Sequence, residues 1–481
     1  MEVIHVATEM TPLAQAGGLG DVLGGLPPAL RQLGFQVQVV LPLFSQVDRK
    51  AHNLHRPGLK ISVNINGEQI KAEVWTAESK GCPVYLIAQD HFFNRPGIYG
   101  DAKGDYPDNN LRFIFFNQAV IKLVAVADLH PRILHVHDWQ PALLPAYIKA
   151  RTWEMGNLGN AATVLTIHNL AHQGLFPRQD FSLTGLPQGM NTLEGMEFWG
   201  KISFLKAGLV YTDALTTVSP SYAAEILTPQ GGMGLDGVLQ TRSDSLFGIL
   251  NGVDYSRWSP ESDEHLPAKY SAQDLSGKEI CRRRLLEAFG LEPAEKDACV
   301  LGFVGRLTEQ KGVDLIAEAA PGLLRDDIRL CVLGQGQAAY EKMLSQLARK
   351  HPGKVGVRIG FDESLAHLLV AGSDLLLMPS RFEPCGLNQM HAMHYGTPPL
   401  VRPTGGLKDT VEAFDPAQGQ GTGFVFWRPS PEDLLSAIRQ AILIKARGSL
   451  WQRLQQNCLA QDFSWDRSAR AYADLYRRLA S

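Results

Sequence analysis

Short apolar runs alternate with longer amphipathic stretches along this chain. Val3–Ala7, Phe35–Leu41, Ile133–His137, Ala162–Ile167 and Ala214–Val218 are aliphatic runs bounded by turn residues, the pattern of strands hidden on both faces. Between them, Val22–Leu33 has helical spacing and ends at Gly34, residues 105–128 are largely helical, and a helix starts near Pro141. Ser219-Pro220 is an N-cap followed by Pro at the first helical position. Strand, glycine loop, helix, strand is the βαβ pattern of a parallel sheet. Residues 59–89 alternate apolar and polar positions and predict antiparallel strands, and Phe247–Asn251 closes this half.

Asn251–Glu264 has turn residues and no periodicity, and reads as a hinge between domains. The βα rhythm then restarts at Cys299–Val304, Ile328–Leu333, Lys354–Ile359, Leu375–Met378, Pro399–Val401 and Gly423–Phe426. The last helix, near Ser464–Leu479, places Trp465, Ala469, Tyr472, Leu475 and Tyr476 near one face. The pattern predicts an α/β protein with domains at 1–250 and 251–459 and a bracing helix at 460–481.

Composition narrows the function classes. The 481 residues are 45% hydrophobic and 20% charged, with net charge −3. That balance argues for a soluble globular protein and against a nucleic-acid surface. No run is long enough to span a bilayer, and no leader pattern precedes the first strand, so a cytoplasmic location is expected. Six scattered Cys with no C-x-x-C fit a reducing compartment and no structural zinc.

Candidate chemistry gathers at strand carboxyl ends, where open α/β sheets bind ligands. Ser380–Thr410 follows the run 374–378 and carries Glu383 and Gly386 into a helix start, whose free N–H groups suit phosphate or sugar oxygens. Gly405-Gly406 allow close approach of backbone to a ligand. Arg306 and Lys311 lie on a loop after Cys299–Val304 and make a diphosphate site. His135 and His137 share a strand face, but Trp139-Gln140 follow Asp138, so H-x-H-x-D-H is absent and no metal is assigned. Asp138 is a strand-end acid, and His168 ends the next strand beside Asn169. Residues 334–339 match G-x-G-x-x-A after a strand, a nucleotide-type signal in mid-chain. Neither G-x-S-x-G nor a P-loop is present.

These pieces together resemble bacterial glycogen synthases and plant starch synthases, over nearly the whole chain. The matching residues are Ala16–Val22, His137-Asp138-Trp139, Thr166–Leu170, Gly208-Leu209, Thr217–Pro220, Leu250–Asp254, Arg306-Leu307 with Gln310–Gly312, Ser380–Leu387 and Thr404–Leu407. The resemblance implies a retaining glucosyltransferase of GT-B fold: two Rossmann-like domains facing across a deep cleft, with the last helix returning to the first. It implies ADP-glucose as donor substrate, an α-1,4-glucan acceptor (glycogen, starch-like polymer or malto-oligosaccharide), no cofactor and no metal, and neither nucleic acid nor membrane as partner.

By position, Arg306 and Lys311 would neutralise the departing nucleotide diphosphate. Glu383 and the amides of Cys385, Gly386 and Leu387 would hold the glucose hydroxyls. His168 would present its carbonyl or ring near the glucose 6-hydroxyl, and Asp138 would line the acceptor side. Gln15, Gly18 and Asp21 would close over the sugar nucleotide, Phe361 would stack on the base, and Asn251, Thr404, Gly405 and Gly406 would complete the substrate contacts.

Two departures stand out. The family's Lys-x-Gly-Gly-Leu has Gln15 at the Lys position, which is expected to weaken donor use modestly or shift acceptor preference. Sucrose- and lipid-acceptor relatives carry a second Glu where this chain has His391, which favours a glucan acceptor; Asn388 also departs from the usual segment. Two alternatives remain: a GT-B enzyme with a small sugar acceptor, and a non-catalytic glucan-binding relative. Cys385, at a helix amino end, is expected to be an exposed, reactive thiol in the ligand-free enzyme.

Overall fold

The computed structural model describes residues 1–101, 104–150, 155–293 and 298–481. It divides into two compact units, Met1–Gly252 with Trp465–Ser481, and Val253–Ser464. The boundary falls two residues after 250. Residues 460–464 stay with the second unit, because the Val253 N–H donates to the Phe463 carbonyl (2.7 Å) and the Tyr255 hydroxyl accepts from the Phe463 N–H (2.7 Å).

The first unit is built on a nine-stranded sheet in the order Leu246–Gly248, Ala214–Thr217, Ala162–Ile167, Ile133–His137, Glu2–Val6, Gln36–Pro42, Cys82–Ala88, Glu68–Ser79 and Lys60–Ile65. Its first seven strands pair in parallel. The predicted antiparallel region is only partly so: Lys60–Ile65 and Glu68–Ser79 form a hairpin, but Cys82–Ala88 also pairs in parallel with Gln36–Pro42. The hairpin turns on Asn66-Gly67, both at positive φ, as a two-residue turn between right-twisted strands requires. Val3, Ile4 and Val6 are fully buried, so this strand shows no alternation in sequence.

The second unit holds a six-stranded, all-parallel sheet in the order Val355–Ile359, Ile328–Gly334, Cys299–Val304, Leu375–Met378, Pro399–Val401 and Phe424–Val425. In chain order this is the 3-2-1-4-5-6 Rossmann arrangement, and the parallel strands of the first unit follow the same rule with a seventh added. Each unit therefore has a topological switch point, beside Glu2–Val6 and Ile133–His137 in one and beside Cys299–Val304 and Leu375–Met378 in the other. The fold is GT-B in its two Rossmann-like parts. Among the described residues no helix is long and apolar enough to cross a membrane.

The last helix, Trp465–Ala480, belongs to the first unit and buries all five residues of its predicted apolar face. It packs on the helix Gly18–Gln32, where Gly25 lies against Trp465. A Cβ added at Gly25 would sit 1.9 Å from Trp465 Nε1, which must then move. Alanine propensity favours Gly25→Ala by about 1 kcal/mol, whereas overpacking costs about 1–3 kcal/mol. Steric conflict wins at this distance. Gly25→Ala should lower the unfolding free energy in urea by about 1–3 kcal/mol. Gly237→Ala, on an exposed helix position with open space around it, should be neutral or stabilising by up to about 1 kcal/mol. Equal effects at the two positions would contradict the packing.

Candidate functional site

In the second unit, two loops leave adjacent strands at the switch point and are stitched together. The Arg381 N–H donates to the Gln310 carbonyl (2.8 Å), and Gln310 Nε2 donates to the Phe382 carbonyl (3.3 Å). Gly312, at φ +67°, lies so close to the second loop that a Cβ would meet the Pro379 carbonyl oxygen at 2.1 Å. Arg381 forks onto Asp314 at 2.6 and 2.8 Å. Asn388 Nδ2 donates to the Val304 carbonyl (2.9 Å) and ties the following helix, Asn388–His394, to the first strand.

This stitching brings Lys311 and Glu383 together. Lys311 Nζ donates to Glu383 Oε2 at 2.6 Å, and Ser380 Oγ donates to the same oxygen at 2.9 Å. Glu383 is 5% exposed. Its Oε1 makes no hydrogen bond among the described residues. Arg306 is exposed and only loosely held, 3.4 Å from Gln310 Oε1, so its charge is the more available of the two cations. Ser380 stands in the matched Ser380–Leu387 segment, but its sequence position gave it no role. Asp314 carried no signal in sequence.

The glycines of the second loop serve the chain's own backbone. A Cβ at Gly405 would meet the Glu383 carbonyl oxygen at 2.1 Å, and one at Gly406 the Cys385 carbonyl oxygen at 2.1 Å. The Gly406 N–H donates to both the Glu383 and Pro384 carbonyls (3.2 and 3.1 Å). Gln389 Nε2 clamps the Cys385 and Gly386 carbonyls, and Gly386 has φ +71°. Leu387 is the residue before the helix Asn388–His394, and Thr404 is buried before the helix Gly405–Thr410.

Cys385 corrects one expectation: it is buried, 5% exposed, because the clamp folds the loop over it. Phe361 stands 81% exposed just beyond Val355–Ile359. His391 is buried, with Trp258 stacked on it at 4.0 Å, and burial pulls it down to about 3. A carboxylate at that position would bury a charge against an indole. The G-x-G-x-x-A loop is partly occupied, since Glu341 Oε1 accepts from the Gly336 N–H (2.8 Å) and the Gln337 N–H donates to the Leu307 carbonyl (2.9 Å).

In the first unit the glycine loop is shorter than predicted, because the helix begins at Gly18 rather than Val22. Gly18 and Asp21 thus lie in its first turn. Glu9, 3% exposed, holds the loop: its Oε2 accepts from the Ala16 and Gly17 N–H groups, both at 2.7 Å. Its Oε1 accepts from the Tyr99 hydroxyl at 2.6 Å. Neither residue stood out in sequence, since the pair is ninety positions apart. Gln15 is exposed and turns back on the loop, donating to Asp21 Oδ2 (3.0 Å) and the Gly17 carbonyl (3.2 Å).

Asp138 ends its strand at φ +59° and caps the neighbouring one, its Oδ1 accepting from the His168 N–H at 2.8 Å. Burial pushes its carboxyl up to about 7, against the amide bonds of His168 and Asn169 that lower it. Asn251 is buried at the end of the unit, and among the described residues its Oδ1 has no hydrogen-bond partner. His135 is engaged at both ring nitrogens, by the Tyr476 hydroxyl (2.7 Å) and Thr166 Oγ1 (2.6 Å). His5, His135 and His137 lie within coordinating reach of one another, but His5 and His137 are hydrogen-bonded directly (2.9 Å).

Comparison with known proteins covers both units. The family profile described as "Starch synthase catalytic domain" matches residues 2–241, and that described as "Glycosyl transferases group 1" matches residues 287–457. Glycogen synthase of Anaeromyxobacter dehalogenans is 47% identical over 481 residues, the full length of both chains. Glycogen synthase of Myxococcus xanthus is 44% identical over 484 aligned positions, again the full length of both. Among solved structures, the catalytic domain of starch synthase IV from Arabidopsis thaliana, bound to ADP and acarbose, has a TM-score of 0.93 at 32% identity, covering 100% of this chain and 99% of that one. Sucrose-phosphate synthase from Thermosynechococcus elongatus shares the fold, with a TM-score of 0.62 at 16% identity over 99% of this chain and 98% of that one.

Asp138 yields a pH test. Its folded pKa is raised, so its contribution to stability is complete below the unfolded value near 3.8 and is lost as pH rises through about 7. The buried histidines act in the opposite sense but are common to parent and variant. Asp138→Asn should therefore gain stability relative to the parent between pH 5 and 8, by roughly 2–4 kcal/mol in urea titrations. A pH-independent difference would refute the buried carboxyl.

Proposed function

The chain belongs to the glycogen and starch synthase family, and on that premise we propose that it transfers glucose from ADP-glucose to the non-reducing end of an α-1,4-glucan with retention of configuration. The observation that carries this reading is the Lys311–Glu383 ion pair at the switch point of the second unit, with exposed Arg306 on the same loop. The bond between the anomeric carbon and the phosphate oxygen breaks, and its electron pair leaves with ADP. The acceptor 4-hydroxyl oxygen bonds to the same face, and its proton passes to the departing phosphate.

Each residue has a part that its surroundings support. Arg306 and Lys311 stabilise the leaving diphosphate, where preorganised cations act without reorganisation. Glu383 uses Oε2 to hold Lys311 and offers Oε1 to glucose hydroxyls. The amides of Cys385, Gly386 and Leu387 face the same sugar, Gly405 and Gly406 pack under that loop, and Thr404 completes the substrate contacts. Phe361, exposed past its strand, stacks on the adenine. His168 and Asp138 serve the sugar and acceptor from the first unit. Gly18 and Asp21 contact the sugar nucleotide there, while Gln15 acts through its bond to Asp21. The two cations leave no step that requires a divalent metal or a cofactor, and the reaction is assigned to the cytoplasm.

The donor, the acceptor and these roles are tested together by following ADP release from ADP-glucose. Release should need an α-glucan and persist in EDTA. Lys311→Ala and Glu383→Ala should each lower kcat by at least about a hundredfold with the fold intact by circular dichroism. Release that depends on a free sugar or sugar phosphate would move the assignment to a small-acceptor enzyme. Glucan binding without turnover would leave a binding protein. Variants within about threefold of the parent, or activity abolished by EDTA and restored by magnesium, would overturn the roles given to the two cations.

A further inference from the structure

Three imidazoles form a continuous hydrogen-bonded line from the core to the candidate site. His5 Nδ1 meets His137 Nε2 at 2.9 Å, and His137 Nδ1 meets His168 Nε2 at 3.0 Å. His5 and His137 are fully buried, and the rings of His5 and His137 stack at 5.2 Å. Parallel register sets the line: His5 opposes His135, two positions before His137, on the adjacent strand. Burial lowers His5 and His168 to about 3 and holds His137 well below the usual imidazole range. All three rings are therefore neutral near pH 7, with one proton each.

Proton counting leaves two states. Each nitrogen pair in the line must contain one N–H and one lone pair. If His5 donates to His137, then His137 must donate to His168 Nε2, and the proton of His168 is forced onto Nδ1. If the line runs the other way, the last proton sits on His5 Nε2. That atom is buried and has no hydrogen-bond partner among the described residues. A buried N–H without an acceptor is rarer in folded proteins than an unsatisfied acceptor. The outward-running state avoids the orphaned donor.

We propose that His137, held in turn by His5, is a positioning residue that fixes the tautomer of His168, so that Nδ1 of His168 carries the proton and is the nitrogen free to donate to substrate. Among the described residues His168 Nδ1 has no hydrogen-bond partner, which leaves that donor available to a sugar hydroxyl. The link to catalysis rests on the transferase reading above; the tautomer itself does not. Sequence alone marks His135 and His137 as sharing a strand face, but only the register brings in His5, some 130 residues earlier.

Selective 15N-histidine labelling tests this without any activity. His168 resonances are assigned by their loss in His168→Gln. In the parent, His168 Nδ1 should be of the protonated, pyrrole type and Nε2 of the pyridine type. His137→Phe keeps an aromatic ring but removes both bonds, and should shift His168 toward the Nε2–H form. His137→Gln can accept from His5 and donate to His168, and should restore the parent pattern. In the glucan assay kcat should fall roughly ten- to hundredfold in His137→Phe with KM for ADP-glucose little changed, and recover in His137→Gln. A proton on His168 Nε2 in the parent, or His168 resonances unmoved in His137→Phe, would overturn the proposal. If His137→Phe does not fold, the parent spectrum and His137→Gln still decide it. Correct spectra with no effect on kcat would spare the tautomer and refute its catalytic use.

Discussion

The second unit is organised by a charge that cannot be left alone. Lys311 follows the first strand of its sheet and Glu383 the fourth, and these strands are neighbours only because the order 3-2-1-4-5-6 reverses there. Glu383 is buried and Lys311 only partly so, so losing the lysine would leave a buried carboxylate uncompensated, at a cost below the about 3–5 kcal/mol of a fully buried pair. The pair therefore demands that both loops hold one geometry. The Gln310 bridges, the close approach of Gly312 to Pro379 and the Arg381–Asp314 fork all serve that demand. In the proposed transfer such a prefixed cation would need no reorganisation as the diphosphate leaves.

The first unit solves the same positional problem without an ion pair of this kind at its switch point among the described residues. Its switch point holds buried imidazoles, a carboxyl raised to about 7 and the Glu9 cradle under Ala16 and Gly17. Asp138 and His168 reach one another through backbone, the acid of one strand end capping the next. The last helix returns to this unit and supplies Tyr476 to His135, so the carboxyl-terminal segment helps orient the histidine core.

Much of this was legible because buried parallel strands announce themselves. Cys299–Val304, Leu375–Met378 and Pro399–Val401 have the same bounds in the structure as in the pattern, since unbroken apolar runs between turn residues admit few other readings. Boundaries moved where a distant partner decides them. Glu9 takes the amides of Ala16 and Gly17 and lets the helix start at Gly18, a contact no local window contains. Cys385 looked exposed because a helix amino end suggests an open thiolate, yet the Gln389 clamp and the packed glycines bury it. Gly405 and Gly406 read as ligand contacts, but their lack of a side chain is already required by the carbonyls of Glu383 and Cys385. Long-range register, the source of the His5–His137–His168 line, is invisible to spacing.

The central claim is that these strand-end residues build a glucan chain, one retained glucose at a time. Proton NMR of the product from ADP-glucose and a malto-oligosaccharide reads both linkage and anomeric configuration directly. The account predicts oligosaccharides lengthened at the non-reducing end by α-1,4-linked glucose, in proportion to the ADP formed. Free glucose accumulating in place of longer chains, or a β-configured product, would contradict it.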